Sequence, residues 1–413
     1  MNQLLRLVVC VLLTSAVPNV QADTSDEWEA TYSPTISQAV QNYFRTSRST
    51  AASVAMMVNG KWVIQKNYGV ATPKSMYDLA SLTKTVGTAA GVLKIIDLGW
   101  GRIDEKVIDV LPEFAKCTWV QDRFPDLIKV HGWKDPLPPN PALCDKKKEI
   151  TVELLMRHRS GLRDKVPPEV IKTARERDID PIDLFLELPL MYEPGTEFFY
   201  ADIQYIVLRK WAERKVKAHG YAWADFLRKE VYSPLQMKST GYFSEHTIGG
   251  ANFIPTQYNF PAGIVEDPIA RGLGSASAGH AGLYSTLGDL QKFAEMWMDK
   301  GTLDDKTIYS APLAEFATAY PTGIPLKEGR GLGWDLTSPI SESAHGPIQG
   351  GFGHTGYTGT SIWIQPEDKI AVIVLTNRTY RSEGKITIEA VNQLRETVAG
   401  LVWKAKPTVP TTK

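Results

Sequence analysis

The chain has 413 residues, 43% of them hydrophobic and 22% charged, an ordinary globular composition that suffices for one large domain or for two lobes sharing a cleft. Its 46 basic side chains balance its 46 acidic ones. Because nucleic acids and anionic membranes attract proteins with a basic excess or a basic stripe, this balance argues against both classes of partner.

The first 22 residues have the pattern of a secretory signal peptide. Met1–Arg6 carries one positive charge, Leu7–Val17 is a short apolar run, and Val20-Gln21-Ala22 offers the small residues that a signal peptidase recognises. The apolar run is shorter than the roughly 20 residues that span a bilayer. We therefore expect an exported protein, periplasmic or secreted, with no transmembrane segment once the signal is removed.

Two strands and a series of helices follow in chain order. AASVAMMV and KWVIQKNYG flank Asn59-Gly60, a dipeptide typical of a tight β-hairpin turn. Helical spacing then begins at Ser81 and runs to Gly99. Shorter helices are predicted in VELLMRHRSGL up to Gly161, at 205–217 and at 223–231.

Residues 112–149 interrupt this helical pattern. They hold six prolines together with Cys117 and Cys144, the two cysteines that remain after signal removal. In an oxidising compartment two such cysteines favour a disulfide, which we predict between them; two buried free thiols are the alternative. The segment is predicted to be an irregular insertion that is stapled by this bond rather than packed.

The sequence continues to a second hairpin and a helix. TSIWIQPEDKIAVIVLTN is predicted to turn at Pro366-Glu367-Asp368, and residues 385–403 have helical spacing. Since strand pairs from distant parts of a chain can share one antiparallel sheet, we predict an α+β fold: a sheet flanked by helices, plus an inserted, mainly helical lobe. The predicted parts are the signal at 1–22, the sheet lobe at 23–80 and 295–413, and the helical lobe at 81–294.

Ser81 and Lys84 are the first candidate pair for chemistry. They stand three positions apart at the start of a predicted helix, so both side chains should project from one face. N–H groups at the helix start would stabilise an oxyanion formed after attack by Ser81, and a desolvated Lys84 can act as a base. S-x-x-K alone also fits a serine N-cap followed by an exposed lysine.

Tyr200 and Asp202 form a second candidate group. A tyrosine can relay a proton to a leaving group if a nearby ammonium lowers its pKa, and Asp202 would help to hold that ammonium. A core tyrosine that precedes a helix-capping aspartate has the same pattern.

His354-Thr355-Gly356 is the third candidate group, and it precedes a predicted strand. A strand edge offers backbone groups to an extended acyl substrate, and His354 and Thr355 could bind its carboxylate. Gly356 would allow close approach, and the N–H of Tyr357 could complete an oxyanion hole with that of Ser81. A glycine-rich turn is the alternative.

The order S-x-x-K, Y-x-[ND], [KH]-T-G resembles the motif order of serine β-lactamases and penicillin-binding proteins. Further stretches resemble that family in the expected order: MYDLASLTK, ITVELLMRHRSGL, GHAGLYSTLGDLQKF, GLGWDL and GHTGYTG. The resemblance is closest to class C β-lactamase-like enzymes and to low-molecular-mass penicillin-binding proteins of the 4B type. It implies an antiparallel sheet flanked by helices plus a helical lobe, in agreement with the pattern of predicted elements.

The resemblance also implies a role for each matching position. Ser81 would be the acylated nucleophile, Lys84 its base or base partner, and Tyr200 the group that protonates the leaving group and later helps to activate water. Asp202 would be a substrate-binding residue, although it stands where the family usually has an asparagine whose amide contacts the substrate's acyl-side carbonyl, and His354 replaces the lysine of K-T-G. A histidine is only partly charged near neutral pH. KM for carboxylate-bearing substrates is therefore expected to rise as pH rises and His354 loses its proton.

The remaining histidines give no sign of a metal site. Gly279-His280-Ala281-Gly282 is interpreted as a structural turn, and the seven histidines show no metal-ligand spacing. We therefore predict no metal and no cofactor.

The function that the resemblance favours is a serine-type D-Ala-D-Ala carboxypeptidase acting on peptidoglycan-derived D-alanyl peptides. The alternatives are a class C-like β-lactamase or a carboxylesterase on the same scaffold, with β-lactam or ester substrates, and a poorly catalytic cell-wall binding protein. An α/β-hydrolase lacks support, since G-x-S-x-G is missing and strands do not alternate with helices. The sequence does not define the oligomeric state.

Overall fold

The computed structural model of the chain describes residues 25–118, 120–124, 126, 140–163, 166, 168–242, 252–273, 277–325, 328–336, 351–380 and 388–403. The predicted signal peptide at 1–22 and residues 127–139 of the predicted insertion lie outside these ranges. No helix within them is both long and apolar enough to cross a membrane.

Strands within the described ranges form one large sheet and two small ones. In chain order they are β1 (Ala51–Val58), β2 (Lys61–Gly69), β3 (Tyr77–Asp78), β4 (Tyr284–Ser285), β5 (Thr302–Leu303), β6 (Lys306–Thr307), β7 (Phe352–Thr355), β8 (Ser361–Gln365) and β9 (Ile370–Thr376). The five-stranded sheet is antiparallel, with the order β2-β1-β9-β8-β7, while β3 pairs with β4 and β5 with β6. Because β1 and β9 are neighbours, the predicted sharing of one sheet by distant parts of the chain is confirmed.

Both predicted hairpins are present in this sheet. Asn59 and Gly60 have φ angles of 51° and 78°, the left-handed conformation that the tight turn between β1 and β2 requires. In the second hairpin Gln365 pairs with Ile370, and Lys369 closes the turn with a φ of 51°.

Helices cover both faces of the sheet. In chain order the α-helices are α1 (Ser25–Ser47), α2 (Ala90–Asp97), α3 (Val107–Val110), α4 (Val120–Arg123), α5 (Pro141–Lys146), α6 (Val152–Met156), α7 (Pro168–Glu176), α8 (Pro181–Glu187), α9 (Asp202–Ala218), α10 (Trp223–Leu227), α11 (Pro268–Gly272), α12 (Leu287–Met298), α13 (Ala311–Thr318) and α14 (Glu389–Trp403). Short π-helices occupy Lys84–Ala89 and Arg228–Tyr232, and 3-10 turns occupy Pro112–Ala115 and Lys147–Glu149. This mixture of an antiparallel sheet and helices confirms the predicted α+β fold.

Strand β1 shows how the sheet separates two hydrophobic cores. All of its side chains are buried, and they alternate between the two faces as a pleated strand requires. Ala55 and Met57 face the larger core, which the helices from the middle of the chain complete. Val54 and Met56 face the smaller core under α1 and α14, so the helix predicted at 385–403 does pack on the sheet, from Glu389 onward.

Two predicted helices differ from the observed ones where they reach functional positions. The helix predicted from Ser81 begins as a turn, continues as the π-helix Lys84–Ala89 and becomes α2 only at Ala90. The helix predicted up to Gly161 ends at Met156, because His158 takes a left-handed φ of 58°. The predicted lobe boundaries at 80/81 and 294/295 stay a prediction.

The region 112–149 is both cross-linked and packed. Cys117 and Cys144 form the predicted disulfide, with 5.7 Å between their Cα atoms. The buried ammonium of Lys147 donates to the carbonyls of Lys116, Leu186 and Leu188 at 2.6, 2.7 and 3.0 Å. The expectation that this region is stapled rather than packed is wrong, because its buried aromatic and apolar side chains join the larger core: Phe114, Val120 and Phe124.

Candidate active site

Ser81 follows a backbone segment of unusual conformation. Ala80 has a φ of 46°, in the left-handed region that residues other than glycine rarely adopt. The Asp78 carboxylate holds this turn by accepting a hydrogen bond from the N–H of Ala80 at 2.9 Å. Backbone strain of this kind persists only where the surroundings fix it, and here it presents Ser81 at the start of the following helix.

The loop between β7 and β8 clamps the same segment. Thr358 Oγ1 donates to the carbonyl of Asp78 at 2.7 Å, and Thr360 Oγ1 donates to that of Leu79 at 3.0 Å. Gly356 lies so close that a Cβ at this position would stand 2.3 Å from the carbonyl oxygen of Leu79. The peptides around Gly356 and Ser81 are therefore brought together, as the predicted oxyanion hole requires.

The backbone N–H groups of Ser81 and Tyr357 donate to no protein acceptor within the described part of the chain. The Tyr357 ring is 51% exposed and lies 4.3 Å from the guanidinium of Arg378. Arg378 Nε also donates to the Tyr357 carbonyl at 2.7 Å, which fixes the orientation of this residue. These contacts leave both N–H groups available to a substrate oxygen, although their role as oxyanion donors stays a prediction.

Lys84 lies at the centre of the site and is fully buried. Its Nζ donates to Ser81 Oγ at 3.0 Å, to Asp202 Oδ1 at 2.7 Å and to the carbonyl of His280 at 3.4 Å. Three acceptors match the three protons of an ammonium group. The site therefore aims one of these protons at the candidate nucleophile.

The Lys84 amine keeps its proton, although burial alone would favour the neutral form. Burial lowers the pKa of Lys84, but the carboxylate of Asp202 and the nearby phenol of Tyr200 outweigh burial and raise it above its usual value. Burial likewise raises the pKa of Asp202, and the charges of Lys84 and His280 outweigh that effect and hold it low. The pair is ionised in this state, which favours Lys84 as a base partner over Lys84 as the base itself.

The Tyr200 ring lies directly beside the Ser81–Lys84 pair. Its centroid is 4.8 Å from Nζ of Lys84 and 5.3 Å from the guanidinium carbon of Arg330. Positive charges at these distances stabilise negative charge that develops on the phenol oxygen. The structure thus brings together the three groups that sequence reasoning assigned to the chemistry.

His354 is in the edge strand β7, so the alternative of an isolated glycine-rich turn does not hold. Its Nδ1 donates to the carbonyl of Thr355 at 2.8 Å, which leaves Nε2 as the acceptor nitrogen. Burial, together with the charges of Arg330 and Lys84, holds the pKa of His354 well below its usual value. The expectation that His354 is partly charged near neutral pH is therefore wrong. A sequence motif shows neither the burial of His354 nor the charge of Arg330, so the motif alone could not reveal this.

Two further residues of the site were missed at the sequence level. His158 is buried, its ring packs against that of Tyr200 at a tilt of 33° with centroids 4.5 Å apart, and it accepts a hydrogen bond from the Ala201 N–H at 3.2 Å. Arg330 is buried beside Tyr200 and forms an ion pair with Asp335 at 3.3 Å. His158 belongs to ITVELLMRHRSGL and Arg330 directly precedes GLGWDL, so the family-like stretches held the signal that could have identified them.

His280 also lies at the site rather than in a purely structural turn, since its carbonyl accepts from Lys84. Three residues, Asp202, Asp267 and His280, each have a possible metal-ligand atom within 4.8 Å of the other two. This spacing could hold a metal ion. However, Lys84 pairs with Asp202, and His280 Nε2 contacts Asp267 Oδ1 at 2.9 Å, so ion pairs account for the grouping. We assign no metal to it, and the predicted lack of a metal or cofactor stays a prediction.

With this geometry in place, comparison with known proteins identifies the family. Residues 36–395 match the family model named Beta-lactamase. The chain belongs to this family. The resemblance drawn from the motifs is confirmed at that level, while the likeness to class C enzymes and to proteins of the 4B type stays a prediction.

Relatives in sequence carry names from cell-wall chemistry. An N-acetylmuramyl-L-alanine amidase of Bacillus subtilis (strain 168) is 28% identical over 332 residues, which cover 74% of this chain and 69% of that protein. A protein of Escherichia coli (strain K12) named "Putative D-alanyl-D-alanine carboxypeptidase" is 24% identical over 336 residues, covering 75% and 70%. The chain is therefore similar to hydrolases of the β-lactamase fold.

Solved structures share the fold at lower identity. The octameric penicillin-binding protein homologue from Pyrococcus abyssi has a TM-score of 0.59 at 20% identity, covering 90% of this chain and 77% of that one. EstCE1, described as a hydrolase with promiscuous acyltransferase activity, has a TM-score of 0.63 at 18% identity, covering 90% of this chain and all of that one, 100%. These likenesses support the fold alone.

Proposed function

We propose that this protein is an exported serine hydrolase that forms an acyl-enzyme on Ser81 and acts as a D-alanyl-D-alanine carboxypeptidase-like penicillin-binding protein. The observation that carries the proposal is the contact of 3.0 Å between Lys84 Nζ and Ser81 Oγ, with the Tyr200 ring 4.8 Å from the same ammonium. The names of the sequence relatives support a substrate class derived from peptidoglycan.

The site can perform acyl transfer in two proton-coupled steps. The Ser81 hydroxyl passes its proton to the Tyr200 oxygen while Oγ attacks the acyl carbon, Tyr200 passes its own hydroxyl proton on to the leaving nitrogen or oxygen, and the ammonium of Lys84 stabilises the negative charge that develops on Oγ and on the phenol oxygen. The N–H groups of Ser81 and Tyr357 receive the oxyanion. The intermediate then collapses and the protonated amine or alcohol leaves. Water attacks the acyl-enzyme in the same way, and its proton passes through Tyr200 back to Ser81 Oγ as the acid is released.

A D-alanyl substrate carries a terminal carboxylate, and Arg330, a buried guanidinium that also pairs with Asp335, supplies positive charge in the site. Its guanidinium lies beside Tyr200, and its charge contributes to the low pKa of the adjacent His354. A neutral His354 offers this carboxylate no charge of its own. Arg330 would therefore take over the electrostatic part of the role that a lysine has in K-T-G, while His354 and Thr355 shape the strand edge.

A carboxylesterase is the second candidate, and it is favoured by the burial of His354, which together with the charge of Arg330 holds its pKa well below the usual value. An ester without a carboxylate needs no cation in the third motif, only the nucleophile, the proton relay and the oxyanion donors. Both candidates use the same covalent chemistry at Ser81 and differ in what binds next to β7.

Export is proposed on the pattern of residues 1–22. If Val20-Gln21-Ala22 is the cleavage site, the mature chain begins at Asp23. Amino-terminal sequencing of protein recovered from a bacterial periplasm would test this directly.

A panel of substrates separates the candidates. Three activities are measured for the wild type and for Ser81→Ala. They are the release of D-alanine from an N-acylated tripeptide that ends in D-alanyl-D-alanine, the hydrolysis of a p-nitrophenyl ester and the hydrolysis of a chromogenic cephalosporin. Release of D-alanine that Ser81→Ala abolishes is the expected result. Ester turnover without D-alanine release would establish the second candidate, rapid cephalosporin turnover would point to a β-lactamase, and equal rates for Ser81→Ala would overturn the acyl-enzyme.

A further inference from the structure

A short turn of the chain, residues 158–160, holds the segment that carries Tyr200. The carbonyl of His158 accepts a hydrogen bond from the Phe199 N–H at 2.9 Å, and the Nδ1 atom of His158 accepts one from the Ala201 N–H at 3.2 Å. A single residue thus receives hydrogen bonds from both chain neighbours of Tyr200. Because the backbone is held on either side, the point from which the Tyr200 side chain extends is fixed.

The imidazole of His158 also packs against the Tyr200 ring itself. The two ring centroids are 4.5 Å apart, and the ring of Tyr205 in α9 lies 5.0 Å from the imidazole. The Tyr205 hydroxyl donates to the carbonyl of Met156, two residues before His158, at 3.0 Å. Since His158 is only 1% exposed, its ring cannot leave this packing without opening a cavity beside Tyr200.

Side-chain hydrogen bonds from α9 stabilise the same arrangement. Ser160 Oγ donates to Gln204 Oε1 at 2.8 Å, and Gln204 Nε2 donates to the carbonyl of Phe199 at 2.8 Å. His158 itself has a left-handed φ of 58°, which is uncommon for a residue with a Cβ. An unfavourable backbone conformation persists where surrounding contacts fix it, and here those contacts connect it to the Tyr200 segment.

The hydrogen bond from Ala201 defines the protonation state of His158. A nitrogen that accepts from a backbone N–H carries no proton, so the imidazole is neutral and its hydrogen is on Nε2. Burial lowers the pKa of His158 well below its usual 6.5, and the charges of Arg330 and Lys84 lower it further. His158 therefore remains an acceptor for Ala201 throughout the neutral pH range.

We propose that His158 is a positioning residue for Tyr200: its carbonyl, its Nδ1 atom and its ring hold the phenol beside Lys84, where the proton relay requires it. The Tyr200 ring centroid lies 4.8 Å from Lys84 Nζ, so a displacement of about 1 Å would disturb the geometry of proton transfer. His158 accepts no proton in the reaction, because its acceptor nitrogen is already occupied. The inference rests on the proposed acyl-enzyme chemistry at Ser81, which it deepens.

Leaving groups distinguish the positioning of Tyr200 from a general loss of structure. The nitrogen that leaves when a penicillin acylates Ser81 must be protonated, whereas fluoride leaves a fluorophosphonate as an anion. The rate of Ser81 labelling is therefore measured with both reagents. His158→Ala should slow labelling by the penicillin about 10²-fold and labelling by the fluorophosphonate about tenfold, so that the ratio of the two rates changes about tenfold. If only the fluorophosphonate labels the wild type, ethyl and p-nitrophenyl esters of one acyl group provide the same contrast.

A conservative variant and a stability control accompany His158→Ala. His158→Asn should recover part of the penicillin rate, because asparagine tolerates a left-handed φ and its Oδ1 can accept from the Ala201 N–H. It also keeps the test available if His158→Ala does not fold. Val40→Ala is the control, since Val40 is fully buried in the smaller core under α1 and α14. It should lower the urea midpoint and leave the ratio of labelling rates at the wild-type value.

A double-mutant cycle with Tyr200→Phe provides the second measurement. If His158 acts through the phenol, replacing His158 should slow labelling by less than about twofold once the Tyr200 hydroxyl is absent. Effects that multiply would overturn the proposal, and so would a wild-type ratio of labelling rates in both His158→Ala and His158→Asn. If neither reagent labels Ser81 in the wild type, the proposed function itself fails, and this outcome is distinct from a failure of His158 alone.

Discussion

Residue Lys84 is a buried cation whose one charged partner at hydrogen-bonding distance, among the described residues, is Asp202 at 2.7 Å. Removing one member of a buried ion pair leaves the other charge uncompensated, and this is usually more damaging than removing both. Asp202 keeps 22% exposure, so solvent screens part of the loss. The functional and structural roles of this pair can therefore be separated by mutation.

We predict that Lys84→Ala lowers the rate of Ser81 labelling by about 10³-fold, since the proton relay and the charge that stabilises it are both lost. It should also lower the free energy of unfolding by about 2 kcal/mol, because Asp202 loses its cation. Thermal unfolding and labelling kinetics measure the two effects.

The matched double variant Lys84→Ala/Asp202→Asn should recover most of the stability without recovering the labelling. Wild-type labelling in either variant would remove Lys84 from the chemistry.

His354 gives a prediction that is opposite to the one its motif position suggests. Because its pKa lies well below the usual value, His354 gains a proton only at acid pH and is neutral across the neutral range. KM for a carboxylate-bearing substrate should therefore be constant from about pH 6 to about pH 8. A KM that rises through this window in the wild type and not in His354→Asn would show that His354 carries charge after all.

Sequence reasoning at this scale succeeded where partners are local. Ser81 and Lys84 are three positions apart, so helical geometry was enough to pair them. Tyr200 could be added through the motif order. Asp202 was expected to hold an ammonium, but the burial of Lys84 and the charge of Arg330 next to His354 depend on distant segments. No local pattern therefore gave the protonation states of Lys84 and His354.

The element that positions the nucleophile is the short segment Asp78–Ser81, and its support comes from the β7–β8 loop. Thr358 and Thr360 donate to successive carbonyls of this segment, and Arg395 from α14 donates to the carbonyl of Thr360 at 2.7 Å. The sequence predicted the β8–β9 hairpin, because a turn has its own residue preferences. It could not predict the clamp or the π-helix after Ser81, which depend on contacts between segments far apart in the chain.

We predict that Gly356→Ala displaces this clamp. The new Cβ would stand 2.2 Å from Thr360 Oγ1 and 2.3 Å from the Leu79 carbonyl, so one of them must move. Overpacking of this kind costs about 1–3 kcal/mol, and a shift of the nucleophile by about 1 Å costs about 10²-fold in rate.

Gly288→Ala is the matched control, because a Cβ there meets no atom within 4 Å. Urea unfolding and Ser81 labelling of both variants provide the comparison. Equal behaviour of the two alanine variants would mean that the loop does not fix the nucleophile.

On the scale of the whole molecule, one antiparallel sheet joins strands from residues 51–69 and 352–376, and the segment between them supplies Ser81, Lys84, Tyr200 and His280. The β-rich stretches and the turn signals between them were strong enough to predict this sheet. The packing of residues 112–149 was not predictable, because prolines obscure the burial pattern of Phe114 and its neighbours. Their disulfide was predictable, since it depends on compartment and cysteine count.

We predict that Cys117→Ser/Cys144→Ser lowers stability by about 3 kcal/mol, the chain-entropy effect of opening a loop of this size. The urea midpoint of the double variant measures it. Reductant should lower the wild-type midpoint and leave that of the double variant unchanged. An unaltered midpoint would show that the Lys147 contacts and the core hold the region without the bond.

We propose that the hydroxyl of Ser81, the ammonium of Lys84 one turn further on and the phenol of Tyr200 from a distant segment act as one acylation site. Mass spectrometry of the protein after reaction with a penicillin or a fluorophosphonate, followed by peptide mapping, tests it most directly. We expect one covalent adduct, on Ser81, absent from Ser81→Ala and formed far more slowly by Lys84→Ala and Tyr200→Phe. An adduct on another residue, or undiminished labelling of Tyr200→Phe, would contradict it.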